Sequence, residues 1–305
     1  MMIPPLWQHL CDDAAIFPPG NAPLAQAVVD HERHRGGEHA DLVGPMVVSA
    51  VVLPQLDPLL AGQPEGALAV TVTTPVDQVA DALARVAERP VLHLRMLEVA
   101  LGDVDPAEAC TTVRRAVADV PVAVAIEVPR DERRSEALDL LGERAAGDGW
   151  IAKFRTGGLV AEAYPSATEL AGAVADCVAH DLPFKCTAGL HRAVRHVDPE
   201  TGADEHGFGN VLLATHHALL GERAEDLVAV LDERDGAAVA DRLRALDADA
   251  VVRLRAQFRS FGTCSIDEPL ADLVGLGLLD PDAAPATSEL LHPDDPIDRD
   301  TRRTA

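Results

Sequence analysis

Apolar, β-rich runs alternate with amphipathic stretches through the first two-thirds of the chain. The apolar runs occupy 46–53, 68–74, 91–101, 121–128, 149–155 and 182–187. Between them, 76–88, 106–119, 133–145 and 166–180 carry helical spacing. In the first of these, Val79, Leu83 and Val86 recur on one face, while Asp77, Asp81 and Arg85 take others. Strands that are apolar throughout are buried on both faces, as the parallel strands of a βα array are. Six such units in 305 residues predict an α/β fold of the (β/α)8, TIM-barrel type. A doubly wound sheet is the main rival.

The alternation loosens after Leu190. The stretch 192–205 is polar and loop-like, whereas 209–220, 224–232, 237–246 and 250–259 read as helices. A short strand fits 260–266. No run marks a clear seventh strand, so closure of the barrel is an extrapolation. The expected organisation is one barrel domain over 1–280, irregular in its last third and preceded by an N-terminal capping segment. The Pro-, Asp- and Thr-rich stretch 281–305 is expected to be a flexible tail.

Charge inside the apolar runs changes the picture. Of 26 basic residues only two are lysine, Lys153 and Lys185. Each falls near the end of a predicted strand and is followed by a threonine and a small-residue turn: Lys153-Phe154-Arg155-Thr156-Gly157-Gly158 and Lys185-Cys186-Thr187-Ala188-Gly189. Arginine stays protonated. A lysine can lose its proton and then act as a nucleophile. The preceding predicted strand carries Glu127 near its end. In a parallel barrel these three strand ends converge on one mouth. Glu127 is either an ion-pair partner of Arg130 or Arg155, or a general acid/base. Two ammonium groups held close raise the cost of charging both, which is expected to free one amine near neutral pH. Both lysines can also serve as simple charges for a phosphate or carboxylate.

Composition narrows the partners. The net charge of −24 disfavours nucleic acid and anionic membranes. Aromatics are 3% of residues, so Ala, Val and Leu must build the core. Five scattered cysteines form no CxxC, and no basic-then-apolar leader or membrane-length run occurs; a cytoplasmic protein is expected. No GxGxxG or Walker-type loop occurs. His31, His34 and His39 lack the spacing of a zinc motif, so no metal is expected. Asp12 and Asp13 precede Ile16-Phe17-Pro18-Pro19. A structural role at one end of the barrel is favoured for them over a carboxylate in the site. His191, just past Lys185, is a candidate proton shuttle, and His206 a weaker one.

From Val122 to Leu190 the chain resembles the deoxyribose-phosphate aldolase family, class I aldolases on a (β/α)8 barrel. The resemblance rests on Ile126-Glu127-Val128, on Lys153-Phe154-Arg155-Thr156-Gly157 and on Lys185-Cys186-Thr187-Ala188-Gly189, separated by 26 and 32 residues from Glu127 to Lys153 to Lys185. The turn Gly262-Thr263-Cys264-Ser265 is similar to that family's phosphate-holding turn. The resemblance implies Lys153 as the Schiff-base lysine and Lys185 as the neighbour that lowers its pKa. Glu98 is the nearest candidate for the family's catalytic Asp. Arg155 and Ala188 stand where the family has small residues or glycine, and Asp267 and Glu268 would oppose a phosphate. The whole chain is also similar to a bacterial family of uncharacterised proteins, through the runs 12–19, 153–158, 185–191, 206–208 and 261–269.

The expectation is a cofactor-independent, class I aldolase-like lyase acting on a small sugar-like or keto-acid metabolite. Lys153, Lys185, Glu127 and His191 would be catalytic. Arg155, Thr156, Gly157, Gly158, Thr187, Gly189, Gly262 and Ser265 would bind substrate. Two alternatives are open: an isomerase or transferase whose lysines clamp an anion, and a non-catalytic barrel that binds a small anion. A homo-oligomer is an open expectation, since homodimers are common among barrel enzymes and the sequence marks no interface.

Overall fold

The computed structural model describes residues 3–199 and 201–280. Eight parallel strands close into a barrel. In chain order they are β1 (Cys11–Asp13), β2 (Val43–Ser49), β3 (Leu68–Pro75), β4 (Leu92–Ala100), β5 (Ala123–Glu127), β6 (Ile151–Arg155), β7 (Phe184–Thr187) and, after a two-stranded ribbon of β8 (His196–Val197) and β9 (Asp204–Glu205), β10 (Phe258–Thr263). β1 pairs with both β2 and β10, which closes the cylinder. The fold is therefore a (β/α)8 barrel. The expected tail at 281–305 lies outside the described residues.

The six strands expected from apolar runs all form, within a few residues of their expected bounds. The two that close the barrel were harder to see. β1 is three residues long and carries two aspartates, too short and too polar to show a period. β10 begins two residues before the expected stretch and is anchored by rings rather than by an aliphatic run. Phe184 of β7 meets Phe258 edge-on at 5.2 Å between centroids, and Phe261 stacks at 5.0 Å on Phe208. The few aromatics thus concentrate at the seam where β10 joins β7.

Helices cover the barrel: α1 (Leu24–Arg35), α2 (Leu53–Leu56), α3 (Val79–Ala87), α4 (Pro106–Ala116), α5 (Arg134–Asp148) and α6 (Ala167–Ala179). Their starts follow local chemistry. Asp105 accepts from the backbone N–H of Ala107 and Glu108 ahead of Pro106, and Ser166 accepts from Glu169 N–H. Between β9 and β10 the usual single helix is replaced by four: α7 (Phe208–Leu219), α8 (Ala224–Leu231), α9 (Gly236–Arg244) and α10 (Ala248–Gln257); α11 (Asp267–Gly275) follows β10. Buried Asn210 ties this insertion together. It donates to the carbonyls of Val230 and Glu233 at 2.9 and 2.8 Å and accepts from Arg195 N–H at 2.9 Å. The polar stretch expected to be a loop at 192–205 holds the β8–β9 ribbon. No helix among the described residues is long and apolar enough to cross a membrane.

Candidate active site

Successive residues of a strand point to opposite faces, so every second side chain enters the barrel. On β6 that phase sends Lys153 and Arg155 inward; on β7 it does the same for Lys185 and Thr187. Lys153 and Lys185 are direct register partners on neighbouring strands, and Glu127 is the partner of Lys153 on the other side. Most barrel interiors at this depth are filled by branched apolar side chains. Here the layer is ionic.

Lys153 Nζ donates to Glu98 Oε2 at 2.9 Å and lies 3.1 Å from Glu127 Oε2. Lys185 Nζ donates to Glu98 Oε1 at 2.5 Å and also to Asp12 Oδ2. Ser260 Oγ donates to the same Asp12 oxygen at 2.7 Å. Glu127 Oε1 accepts from Arg155 Nε at 3.3 Å. Three carboxylates thus interleave two ammonium groups, and Asp12, Glu98, Lys153 and Lys185 are all buried.

The electrostatics reverse one expectation. Proximity of two ammoniums was expected to depress a lysine pKa. Burial does push each amine down, but the carboxylates outweigh it: Glu98 and Glu127 hold Lys153 above the ordinary amine range, and Asp12 and Glu98 hold Lys185 above it. Burial alone would raise the Glu98 carboxyl, yet the two ammoniums hold it at about 2. Glu127 is lowered despite burial, by Lys153 and then Arg155. Asp12 is the exception: burial dominates over Lys185 and Ser260, and its carboxyl is raised.

A cavity of about 420 Å3 opens at the C-terminal ends of the strands, above this layer. Lys153, Glu98, Glu127, Arg155 and His191 line it, as do Gly158, Thr187 and Gly262; Lys185, fully buried, does not. His191 Nδ1 sits 3.5 Å from Cys264 Sγ and 3.2 Å from Glu268 Oε2. Burial works against its charge, but these two contacts prevail and raise its pKa to about 10. At neutral pH it is an acid rather than a base.

The remaining expected binding residues, Thr156, Gly157, Gly189 and Ser265, do not line the cavity; they brace the loops around it. Thr156 is buried, and its hydroxyl donates to the carbonyl of Ala188. Gly157 and Gly189 pack on each other: a Cβ on Gly157 would lie 2.6 Å from Gly189 Cα. Ser265 Oγ accepts from Glu268 N–H at 3.3 Å, starting α11. His206 is pinned between Arg195 Nη1 and the Pro165 carbonyl, 2.8 Å from each, and does not reach the cavity.

Asp12 enters the site even though a structural role was favoured for the Asp12-Asp13 pair. The phase of β1 divides the pair. Asp12 points inward to Lys185, whereas Asp13 points out to His31 Nδ1 at 2.9 Å. The only signal in the chain was a carboxylate pair beside an apolar segment. Glu98, in the middle of a strand, gave the better one. Ser260 gave none. No protein-family model, curated protein or solved structure matches this chain.

Proposed function

We propose that this protein is a lyase of the class I aldolase type, in which Lys153 forms a Schiff base with a small carbonyl compound. One observation carries the proposal: of the two lysines, Lys153 lines the cavity, whereas Lys185 is fully buried and does not, with Glu98 bonded to both. A nucleophile has to meet substrate. An amine that only adjusts protons does not.

The resting Lys153 is an ammonium and must first lose a proton. The hydrogen-bonded chain Lys153–Glu98–Lys185–Asp12 supplies the route. Glu98 takes a proton from Lys153 as it passes one to Lys185, which gives one to Asp12, the one carboxylate of the three that burial raises rather than leaves lowered. The neutral amine then adds to the carbonyl carbon. The proton parked on Asp12 returns along the same chain to the carbinolamine hydroxyl, which leaves as water and gives an iminium whose positive charge stands where the ammonium stood, beside Glu98 and Glu127. Glu127, at the cavity wall, takes the proton of the substrate's β-hydroxyl. The Cα–Cβ bond breaks, its electron pair enters the iminium, and an aldehyde leaves. Protonation of the enamine at carbon, followed by addition of water, releases the second product and the amine.

The anion-clamp alternative is weaker. Both ammoniums are already neutralised by carboxylates, and Lys185 does not line the cavity. The test is intact-mass spectrometry after sodium borohydride treatment with a panel of small aldehydes and ketones, beside Lys153→Arg and Lys185→Arg. The expected result is a reduced adduct that maps to Lys153 and disappears in Lys153→Arg. Absence of any adduct across the panel rejects the proposal.

A further inference from the structure

The charged and uncharged residues of the cavity are segregated by sector. All five charged lining residues, Glu98, Glu127, Lys153, Arg155 and His191, come from β4 to β7 and the loop after β7. The opposite sector, from the ends of β1, β2 and β3, contributes no charge at all, although a quarter of the chain is charged. Its surface is made by Phe17, Pro18, Val47, Val51 and Pro75, with neutral polar groups from Ser49, Thr73 and Gln78.

Two rim residues add exposed apolar surface, Val51 after β2 on the uncharged side and Leu159 after β6 on the other. Leu159 and Val51 are the most exposed large hydrophobic side chains among the described residues, at 77% and 70%, and both line this cavity. Apolar side chains left in water around a concave site gain free energy when an apolar ligand covers them.

The corner where a barrel usually seats a phosphate is filled by the protein itself. That corner is built from the loops after the last two strands and a helix N-terminus. The first turn of α11 carries Asp267 and Glu268, and Glu268 already pairs with His191, the cation of that corner. The glycine turn after β7 gives no cradle either. A Cβ on Gly189 would lie 2.7 Å from the Thr156 carbonyl, so its backbone is closed against the loop after β6.

We infer that the substrate is an unphosphorylated carbonyl compound whose non-reacting end is an uncharged, mainly aliphatic or aromatic group seated against the β1–β3 sector, an inference that rests on the Schiff-base reading of Lys153. The carbonyl points to Lys153 in the charged sector. The tail lies between Phe17, Val47 and Pro75 and is covered at the rim by Val51 and Leu159.

The test is a competition. The full-length protein is mixed with equal concentrations of hexanal, glyceraldehyde 3-phosphate and pyruvate, trapped with cyanoborohydride, and the adducts on Lys153 are counted by mass. The expected hexanal adduct exceeds each of the other two at least tenfold, and the margin shrinks at least tenfold in Val51→Asp/Leu159→Asp, whose sites are exposed enough to leave folding intact. Preference for the phosphate ester or for pyruvate, or a margin untouched by the double substitution, overturns the inference. If nothing is trapped on Lys153, the Schiff-base reading fails, and calorimetry with 1-hexanol and glycerol 3-phosphate still decides the tail. Hexanol binding that is lost in the double variant supports an apolar seat. Binding of the phosphate ester, or of neither, overturns it.

Discussion

Glu98 and Lys185 meet in the buried centre of the barrel, Oε1 to Nζ at 2.5 Å, while the other oxygen of the same carboxylate holds Lys153 at 2.9 Å. One side chain therefore neutralises parts of two buried cations. Removing a single partner from such a set leaves charge uncompensated, so Glu98→Gln is expected to cost about 3–5 kcal/mol of unfolding free energy. Urea unfolding at pH 7 measures it; a loss below about 1 kcal/mol would show that water already compensates the lysines. The pH dependence follows in sign. The folded carboxyl, at about 2, is depressed below its ordinary 4.5, so its contribution is complete above 4.5 and is lost as pH falls toward 2.

The proton route through Asp12 has a kinetic signature. Moving a proton from Lys153 to Asp12 changes no total protonation, so the rate of reductive trapping by a saturating aldehyde is expected to stay flat from about pH 6 to about pH 9. In Asp12→Asn the proton has to leave to solvent. The rate at neutral pH should fall and then climb about tenfold per pH unit, because Lys153 titrates above the ordinary amine range. A wild-type rate that itself climbs log-linearly would rule out the internal route.

His191 stabilises the fold in a defined window. Its folded pKa of about 10 exceeds its ordinary 6.5, so the stabilisation from its contacts with Glu268 and Cys264 is complete below pH 6.5 and lost as pH rises toward 10. The difference in unfolding free energy between wild type and His191→Gln should shrink across that interval. A difference independent of pH would mean that the imidazole is held neutral.

The turn after β7 stores backbone strain at a residue that is not glycine. Ala188 has φ of 63° and Gly189 φ of 68°. Ala188→Gly should therefore stabilise the protein by about 1 kcal/mol. Gly189→Ala should destabilise it by more than about 1 kcal/mol, since its Cβ would also strike the Thr156 carbonyl at 2.7 Å. Thermal unfolding of the two variants should move in opposite directions.

Much of this architecture is legible along the chain because its cause is local. A strand buried on both faces must be apolar throughout, and a helix lying on it must be apolar on one side; six strands and their helices announce themselves by that rule. Lys153, Lys185 and Glu127 stand out for the same reason, as charges within runs whose burial forbids unpaired ones. The direction of their pKa shifts was not legible, because it depends on what lies between them. Lys185 meets Asp12 across 173 positions and Glu98 across 87. No spacing rule reaches that far. Nor could a three-residue strand declare itself; β1 exists because β2 and β10 stand ready on either side, and its two-residue period, set only once it is paired, turns Asp12 inward and Asp13 out. Local periodicity marked six of the eight barrel strands, and the scarcity of lysine singled out the two amines at their ends. Only closure of the cylinder brought three carboxylates from β1, β4 and β5 against them, and that contact decides how they are charged.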